Sequence, residues 1–204
     1  MITIVDYKTG NLGSIKNMLK RIGEASTITG DVDEIRKSSK IILPGVGSFD
    51  AGVQKLKDSG IWDVLNEKIL VDNIPILGIC LGAQLMTQGS EEGQMAGFGW
   101  VDAKTMKFRI DQESKLKVPN MGWNSIIKEK DSLLFKDMVD NPRFYFVHSF
   151  HFEFEDKSQE LSTSKYAYKF CSAFEKDNVI GVQFHPEKSH KSGMNLLKNF
   201  VLNY

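Results

Sequence analysis

The stretch Pro75-Ile76-Leu77-Gly78-Ile79-Cys80-Leu81-Gly82-Ala83-Gln84 decides how the rest of the chain is read. It opens as an apolar run of the kind that makes a buried strand. It then turns at Gly-x-Cys-x-Gly and continues into a short helical pattern. This is the logic of a nucleophile elbow, written with sulfur in place of a serine hydroxyl. Gly78 and Gly82 leave room for a tight strand-to-helix turn, which carries the Cys80 side chain out over the end of a sheet. A helix starting there aims its N-terminus at the sulfur and favours the thiolate, the form that attacks carbon. A free cysteine is otherwise most often a small buried hydrophobe, but a plain core strand has no use for the flanking glycines.

At 204 residues the chain can bury a proper core and is most simply one domain spanning 1–204. Lys+Arg and Asp+Glu both number 26, so the formal net charge is zero. No bulk field then favours nucleic acid or an anionic membrane. Two cysteines without Cys-x-x-Cys spacing argue against a disulfide framework or a structural zinc. The opening Met-Ile-Thr-Ile-Val-Asp meets a charge too early for a signal peptide, and no apolar run reaches membrane-spanning length. The expectation is a soluble cytoplasmic protein that needs no metal or cofactor.

Upstream of the elbow, strand and helix alternate. Ile2 to Val5 is a β-branched strand ending at Asp6, and Tyr7-Lys8-Thr9-Gly10-Asn11 is a loop. A helix then carries Leu12, Ile15, Leu19 and Ile22 on one face and stops at Gly23. A short strand near Ser26–Ile28, a short helix with Val32 and Ile35, and a strand from Lys40 to Leu43 follow. Helical patterns with Val53 and Leu56, then Val64, Leu65 and Ile69, lead to the strand before Cys80. Such alternation predicts an α/β fold with a central, mostly parallel sheet flanked by helices. After Gly97 the character changes. Val101 to Phe108 and Ser125 to Lys128 read as strands without long helices between them. Arg143 to Phe154 reads as one strand with Phe144, Phe146, His148, Phe150, Phe152 and Phe154 on one side. Tyr166 to Phe174 and Val179 to Phe184 form a hairpin around a Glu-Lys-Asp-Asn turn, and a last helix turns Met194, Leu197 and Val201 inward. The C-terminal half is thus expected to be an antiparallel extension of the same sheet.

A thiolate nucleophile needs a base, and the base needs an orienter. Of four histidines, His185 stands out in Gly181-Val182-Gln183-Phe184-His185-Pro186-Glu187, where an apolar strand ends and Pro186 stops the ladder. An extended backbone puts His185 and Glu187 on one side, so the carboxylate can fix the imidazole tautomer and support the imidazolium. Alone, His-Pro-Glu would more often be a capped strand end with a surface ion pair; the elbow cysteine changes that balance. The backbone N–H of Leu81 is one oxyanion donor by elbow geometry. Pro44-Gly45-Val46-Gly47, leaving a neighbouring strand at the same sheet edge, can bring a second. Gln84, one turn beyond Cys80, faces the same way. Glu91 and Glu92 read as solvated surface charge, or, beside a pocket, as partners for a substrate ammonium. His148 is more often a satisfied pocket-wall histidine than a second base, and Cys171 is structural. Trp123, in the polar Met121-Gly122-Trp123-Asn124 loop, is a contact residue if exposed and a core plug if buried. Spacing alone reaches a cysteine-dependent acyl transferase or hydrolase and does not specify the acyl group.

Gly78-x-Cys80-x-Gly82-x-Gln84 with His185-Pro186-Glu187 near the C-terminus resembles the class I, or triad, glutamine amidotransferases, over nearly the whole chain. Within that group, five motifs in order look like the glutaminase subunit of imidazole glycerol phosphate synthase. They are Asp6-Tyr7-x-x-Gly10-Asn11-Leu12, Pro44-Gly45-Val46-Gly47, Met121-Gly122-Trp123-Asn124, Phe146-Val147-His148-Ser149 and His185-Pro186-Glu187-Lys188-Ser189. The resemblance implies the sandwich fold of that family, with Cys80, His185 and Glu187 as a triad acting on the side-chain amide of L-glutamine. It implies that Val46 and Leu81 supply the oxyanion hole. Gln84 and Glu92 would hold the substrate's amino-acid end, with Gly45, Gly47, His148, Ser149 and Phe150 around the same pocket. Asn11, Trp123 and Lys188 would face the partner, a (β/α)8-barrel cyclase that receives ammonia through a channel. Lys8, Asn120 and Phe150 stand where the family commonly has Gly, His and Tyr. A second copy of this subunit in some bacteria supplies ammonia for an acetamidino group on sugars, which is the runner-up reading.

Two further classes compete. A stand-alone cysteine hydrolase would use the elbow but need neither Gln84 nor the Gly-Val-Gly loop, and would act without a partner. A nucleotide-binding module would use Gly45 and Gly47 after a strand. In that reading Asp50 takes the place of the third glycine, and the match does not open the first strand.

Overall fold

Ile2–Val5, Lys40–Gly45 and Ile76–Cys80 are apolar on both sides of the backbone, as strands covered on two faces must be, and they lie side by side in one sheet. The computed structural model describes residues 1–111 and 113–204. In chain order the elements are β1 (Ile2–Val5), α1 (Leu12–Ile22), β2 (Ser26–Thr29), α2 (Val32–Arg36), β3 (Lys40–Gly45), α3 (Phe49–Asp58), α4 (Ile61–Asn66), β4 (Ile76–Cys80) and α5 (Leu81–Gln84). The second half holds β5 (Ala103–Lys107), β6 (Asn120–Ser125), β7 (Ile127–Lys128), β8 (Arg143–His148), β9 (Phe150–Phe154), β10 (Glu160–Tyr166), β11 (Tyr168–Lys176), β12 (Val179–Val182) and α6 (His190–Asn203). The sheet runs β2-β1-β3-β4-β12-β11-β10-β7. Its first five strands are parallel and the remainder antiparallel. β9 pairs with β11 and carries β5 at its other edge, while β6 and β8 form a separate two-stranded ribbon.

Period-two alternation divides the core. Ile4, Ile42, Leu77 and Ile180 turn to the face covered by Ile15 and Leu19 of α1 and by Leu196, Leu197 and Phe200 of α6. Val5, Ile41, Leu43 and Ile76 turn to the face covered by Ile35 of α2, Val53 and Leu56 of α3, and Val64 and Leu65 of α4. Each fully buried aliphatic side chain contributes about 1.5–3 kcal/mol, so truncating Leu19 or Leu56 falls in the range of about 2–5 kcal/mol of destabilisation. Gly23, at φ 94°, ends α1; its N–H and that of Glu24 return to the Lys20 and Leu19 carbonyls. Among the described residues no helix is long and apolar enough to cross a membrane.

Several local expectations change. Met121-Gly122-Trp123-Asn124 is not a loop but the middle of β6, paired residue for residue with β8. Arg143 to Phe154 is not one strand: it breaks at Ser149, so that β8 joins the ribbon and β9 the main sheet. The expected Ser125–Lys128 strand is split between the end of β6 and the two-residue β7. The last hairpin turns on Asp177-Asn178 alone, because Glu175 and Lys176 stay paired with β12. In α6 the inward face is carried by Gly193, Leu196, Leu197, Phe200 and Val201, with Met194 only partly buried. A whole strand, β10, had no counterpart in the sequence reading.

Candidate functional site

β3, β4 and β12 all end at one edge of the parallel sheet, with Gly45 opposite Cys80 and Val182 opposite Ile79. Open α/β sheets bind ligands outside such carboxyl ends. Cys80 has φ 54° and ψ −113°, a conformation that costs a non-glycine residue on the order of 1–3 kcal/mol. The two flanking glycines make it possible. A Cβ on Gly82 would collide with the Leu43 carbonyl, and one on Gly78 would meet the Ala83 backbone and Met86. The helix after Cys80 is a single turn, Leu81–Gln84. It is short, as the sequence pattern suggests, and too short to carry the macrodipole expected to favour the thiolate.

Cys80 opens onto a cavity of about 380 Å³. Val46, Gly47, Leu81, Gln84, Glu92, His148, Ser149, Phe150 and His185 line it with the cysteine. Gly45 does not: it is buried behind the wall. Another depression of about 400 Å³, between Glu129, Lys130 and Lys169 at β10 and β11, is lined by paired charges. Cys171 at its base is fully sequestered, and burial pushes its thiol well above the ordinary value.

His185 and Glu187 meet, but not through an extended backbone. Pro186–Lys188 is a 3₁₀ turn, and His185 Nδ1 sits 2.8 Å from a Glu187 carboxylate oxygen. Both side chains are almost fully buried. The other ring nitrogen, Nε2, is buried without a hydrogen bond of normal geometry, yet the Cys80 sulfur acts on it. Burial opposes the imidazolium, but Cys80 and Glu187 outweigh it and raise the His185 pKa to about 10. This ring is built to carry a proton beside the sulfur.

Four placements were not legible from spacing. Gln183, fully buried at the end of β12, donates from Nε2 toward the Cys80 sulfur at 3.7 Å. Its Oε1 accepts from Gln84 Nε2 at 3.0 Å. The signal was present as a lone amide in an apolar strand run. Thr9 holds both backbone groups of Val46: the Val46 N–H donates to Thr9 Oγ1 at 3.1 Å, and the hydroxyl donates back to the Val46 carbonyl, in the following peptide. The Val46 N–H expected to complete an oxyanion hole is therefore committed elsewhere in this structure. Glu92 lines the pocket, but one of its oxygens accepts the Phe49 N–H at the start of α3, 2.7 Å away. Asp50, standing where a dinucleotide fingerprint would have its third glycine, accepts from Gln94 and Met95 N–H.

His148 is not placed as a second base. Its Nδ1 is 2.6 Å from the Phe150 carbonyl and its Nε2 2.9 Å from the Asn120 amide nitrogen. Burial lowers its pKa to about 3, so the ring is neutral, with the proton on Nδ1 and Nε2 accepting from Asn120. Lys8 has φ 65°, the left-handed region that favours glycine. Asn11 and Lys188 are exposed. Trp123 is 39% exposed and stacks on His190, with centroids 5.3 Å apart. Its edge meets Tyr145, whose ring Lys188 overlies. Trp123 and Lys188 thus share one surface, next to a groove formed by Ser14, Met18 and Arg21 of α1, the helix that Asn11 precedes.

A cysteine at a strand-to-helix elbow, a buried imidazole–carboxylate pair in the turn beyond the neighbouring β12 and an amide at the sulfur, itself held by Gln84, suit nucleophilic displacement at a carbonyl carbon. A sequence model of the family described as Glutamine amidotransferase class-I matches residues 3–204, and the chain belongs to that family. It is 51% identical to imidazole glycerol phosphate synthase subunit HisH 2 of Methanococcus maripaludis, covering 98% of each chain. To the protein of the same name from Pseudomonas aeruginosa it is 44% identical, again over 98% of each. A crystal structure of a glutamine amidotransferase superposes with a TM-score of 0.76 at 15% identity, over 99% of this chain and 100% of that one.

Proposed function

We propose that the protein is the glutaminase subunit of imidazole glycerol phosphate synthase. It would release ammonia from L-glutamine and pass it to a barrel-shaped cyclase partner. The observation that carries the reading is the buried His185–Glu187 pair at 2.8 Å, with Nε2 left toward the elbow cysteine. The Cys80 thiolate attacks the side-chain amide carbon, forming the C–S bond as the carbonyl oxygen takes the charge. His185 Nε2–H protonates the amide nitrogen, and ammonia leaves as the thioester forms. The neutral imidazole then takes a proton from water, whose oxygen attacks the thioester; glutamate departs and the thiolate is restored. Glu187 holds the ring and supports its positive form throughout. Gln183 and Gln84 keep the sulfur's surroundings polar and ordered. Leu81 N–H is one donor to the oxyanion, and Val46 N–H becomes the second only when the Gly45–Val46 peptide leaves Thr9. The names of the two relatives support the pathway. Both carry the numeral 2, which favours testing the sugar-modification copy as the second reading, together with the departures at Asn120 and Phe150.

The experiment is glutamate release from purified protein, alone and with candidate cyclase partners. Cys80→Ala should abolish release while the complex still uses ammonium salts. Hydrolysis at the wild-type rate in that variant would overturn the reading. The histidine-pathway cyclase should stimulate release; stimulation only by a sugar-pathway cyclase would transfer the protein to the second reading.

A further inference from the structure

Gln183 sits just past β12 between Val182 and Phe184, and all three are 0% exposed. An amide in such a run is costly unless its ends are hydrogen-bonded, and an apolar side chain would fill the place without that requirement. Both ends of this amide are used. Nε2 donates toward the Cys80 sulfur at 3.7 Å, and Oε1 accepts from Gln84 Nε2 at 3.0 Å. The Gln183 backbone N–H donates to the Ser172 carbonyl at 2.9 Å, so β11 fixes the point from which the amide reaches. The hydrogen bonds run one way, from Gln84 through Gln183 to the sulfur, and the sulfur sets their direction. A thiolate has no proton and only accepts, so Gln183 turns Nε2 to it. Its Oε1 then faces Gln84, and Gln84 answers with Nε2. That leaves Gln84 Oε1. Among the described residues it is neither hydrogen-bonded nor enclosed, and Gln84 lines the cavity. A sulfur that donated its own proton to Gln183 Oε1 would turn both amides over and present the Gln84 –NH₂ group to the cavity instead.

We propose that Gln183 is a positioning residue that sets nucleophile and substrate acceptor together. By donating to the Cys80 sulfur it favours the thiolate. By accepting from Gln84 it keeps that residue's carbonyl oxygen turned to the cavity, ready to take an N–H of the substrate. Gln183 does not line the cavity itself, so it acts through these two residues. The substrate half of the assignment rests on the glutaminase reading above; the contact with the sulfur does not.

The test is Gln183→Met, which keeps the length and removes both polar ends. The first measurement is the pH profile for alkylation of Cys80 by iodoacetamide in the isolated protein, with the modified residue located by mass spectrometry. Gln183 carries no charge, so the titratable neighbours of the sulfur, His185 and Tyr7, are left in place. Losing one hydrogen bond to the thiolate should move the midpoint of the profile to higher pH by roughly 0.5–1 unit. The second measurement is KM for glutamine in the complex with whichever cyclase stimulates the wild type. With Gln84 no longer held, KM should rise by roughly 2–10-fold. An unchanged midpoint overturns the assignment, and a lower melting temperature beside it would make Gln183 a core residue only. A shifted midpoint with wild-type KM overturns the hold on Gln84. If Gln183→Met does not fold, Gln183→Asn decides the same way, because it keeps a buried amide but draws it back from the sulfur by one methylene. If the wild type releases no glutamate with any cyclase, the glutaminase reading fails and takes the substrate half with it, while the alkylation midpoint still decides the sulfur half.

Discussion

At the scale of single residues, two histidines in one pocket are driven in opposite directions. His148 loses its proton to burial, with a pKa of about 3, while His185 keeps its proton because Cys80 and Glu187 outweigh burial and raise it to about 10. The signs give different stability windows. The unfolded chain protonates His148 near pH 6.5 and the folded chain does not, so stability from this site is complete above about pH 6.5 and falls as pH drops toward 3, by at most about 1.4 kcal/mol per unit. The contribution of His185 runs the other way, present below about pH 6.5 and lost as pH rises toward 10. Denaturant titrations at pH 7 and pH 5 should show the wild type losing about 1–2 kcal/mol more than His148→Gln between the two; equal losses would show that His148 titrates normally. In catalysis, His185→Ala should cost nearly as much as losing the thiol, because triad members act as a unit. Glu187→Gln should cost less, since it disturbs orientation more than proton transfer. Three variants with wild-type turnover would remove the triad assignment.

At the scale of elements, the decisive piece is the end of β3, where Gly45–Val46 meets the loop after β1. Gly45→Pro looks from sequence like a clean way to freeze this peptide, but any Cβ there meets the Tyr7 hydroxyl, Leu81 and the Gly82 amide, so that variant also disrupts packing. Thr9→Val is the better probe. It keeps the shape and removes both hydrogen bonds to Val46. Freed of that latch, the peptide should sample the turned form more often and raise the resting rate of glutamate release by roughly 2–10-fold. A resting rate unchanged or lowered in Thr9→Val, by steady-state assay, would show that Thr9 is not what holds the peptide.

At the scale of the whole molecule, the proposed function hands the ammonia to a partner, so hydrolysis is expected to be coupled to it. The resting orientation of Val46, with its N–H on Thr9, offers a point at which such coupling can act. One missing oxyanion donor typically costs about 10²–10³ in rate, or roughly 2.7–4 kcal/mol, so a single peptide rotation is large enough to act as a switch. The isolated chain should be nearly inactive on glutamine, and the ligand-loaded cyclase should raise turnover by at least that order. Full activity in the isolated chain would dispose of the switch and favour the stand-alone hydrolase.

The sequence by itself determined what depends on neighbours along the chain. The alternation of β1 through β4 with helices, the elbow glycines around Cys80 and the pairing of His185 with Glu187 are local patterns whose steric and polar logic can be read in place, although the pairing is made through a 3₁₀ turn rather than the extended backbone expected. β10 was hidden because its buried residues are Ser162, Thr163 and Ser164 beside a lone Leu161, satisfied by Ser172, Glu129 and the Ser125 carbonyl rather than by apolar contact. The break of Arg143–Phe154 at Ser149 lies inside an unbroken aromatic alternation, and only the two different partner strands make it visible. Tertiary structure alone decided the surroundings of the sulfur. Gln183 reaches Cys80, Thr9 reaches Val46 and Tyr7 reaches Gly45 because β1, β3, β4 and β12 end at the same edge in one register. A hydrogen bond between residues far apart in the chain leaves no spacing to read; it exists only once strand pairing has brought the two backbones together.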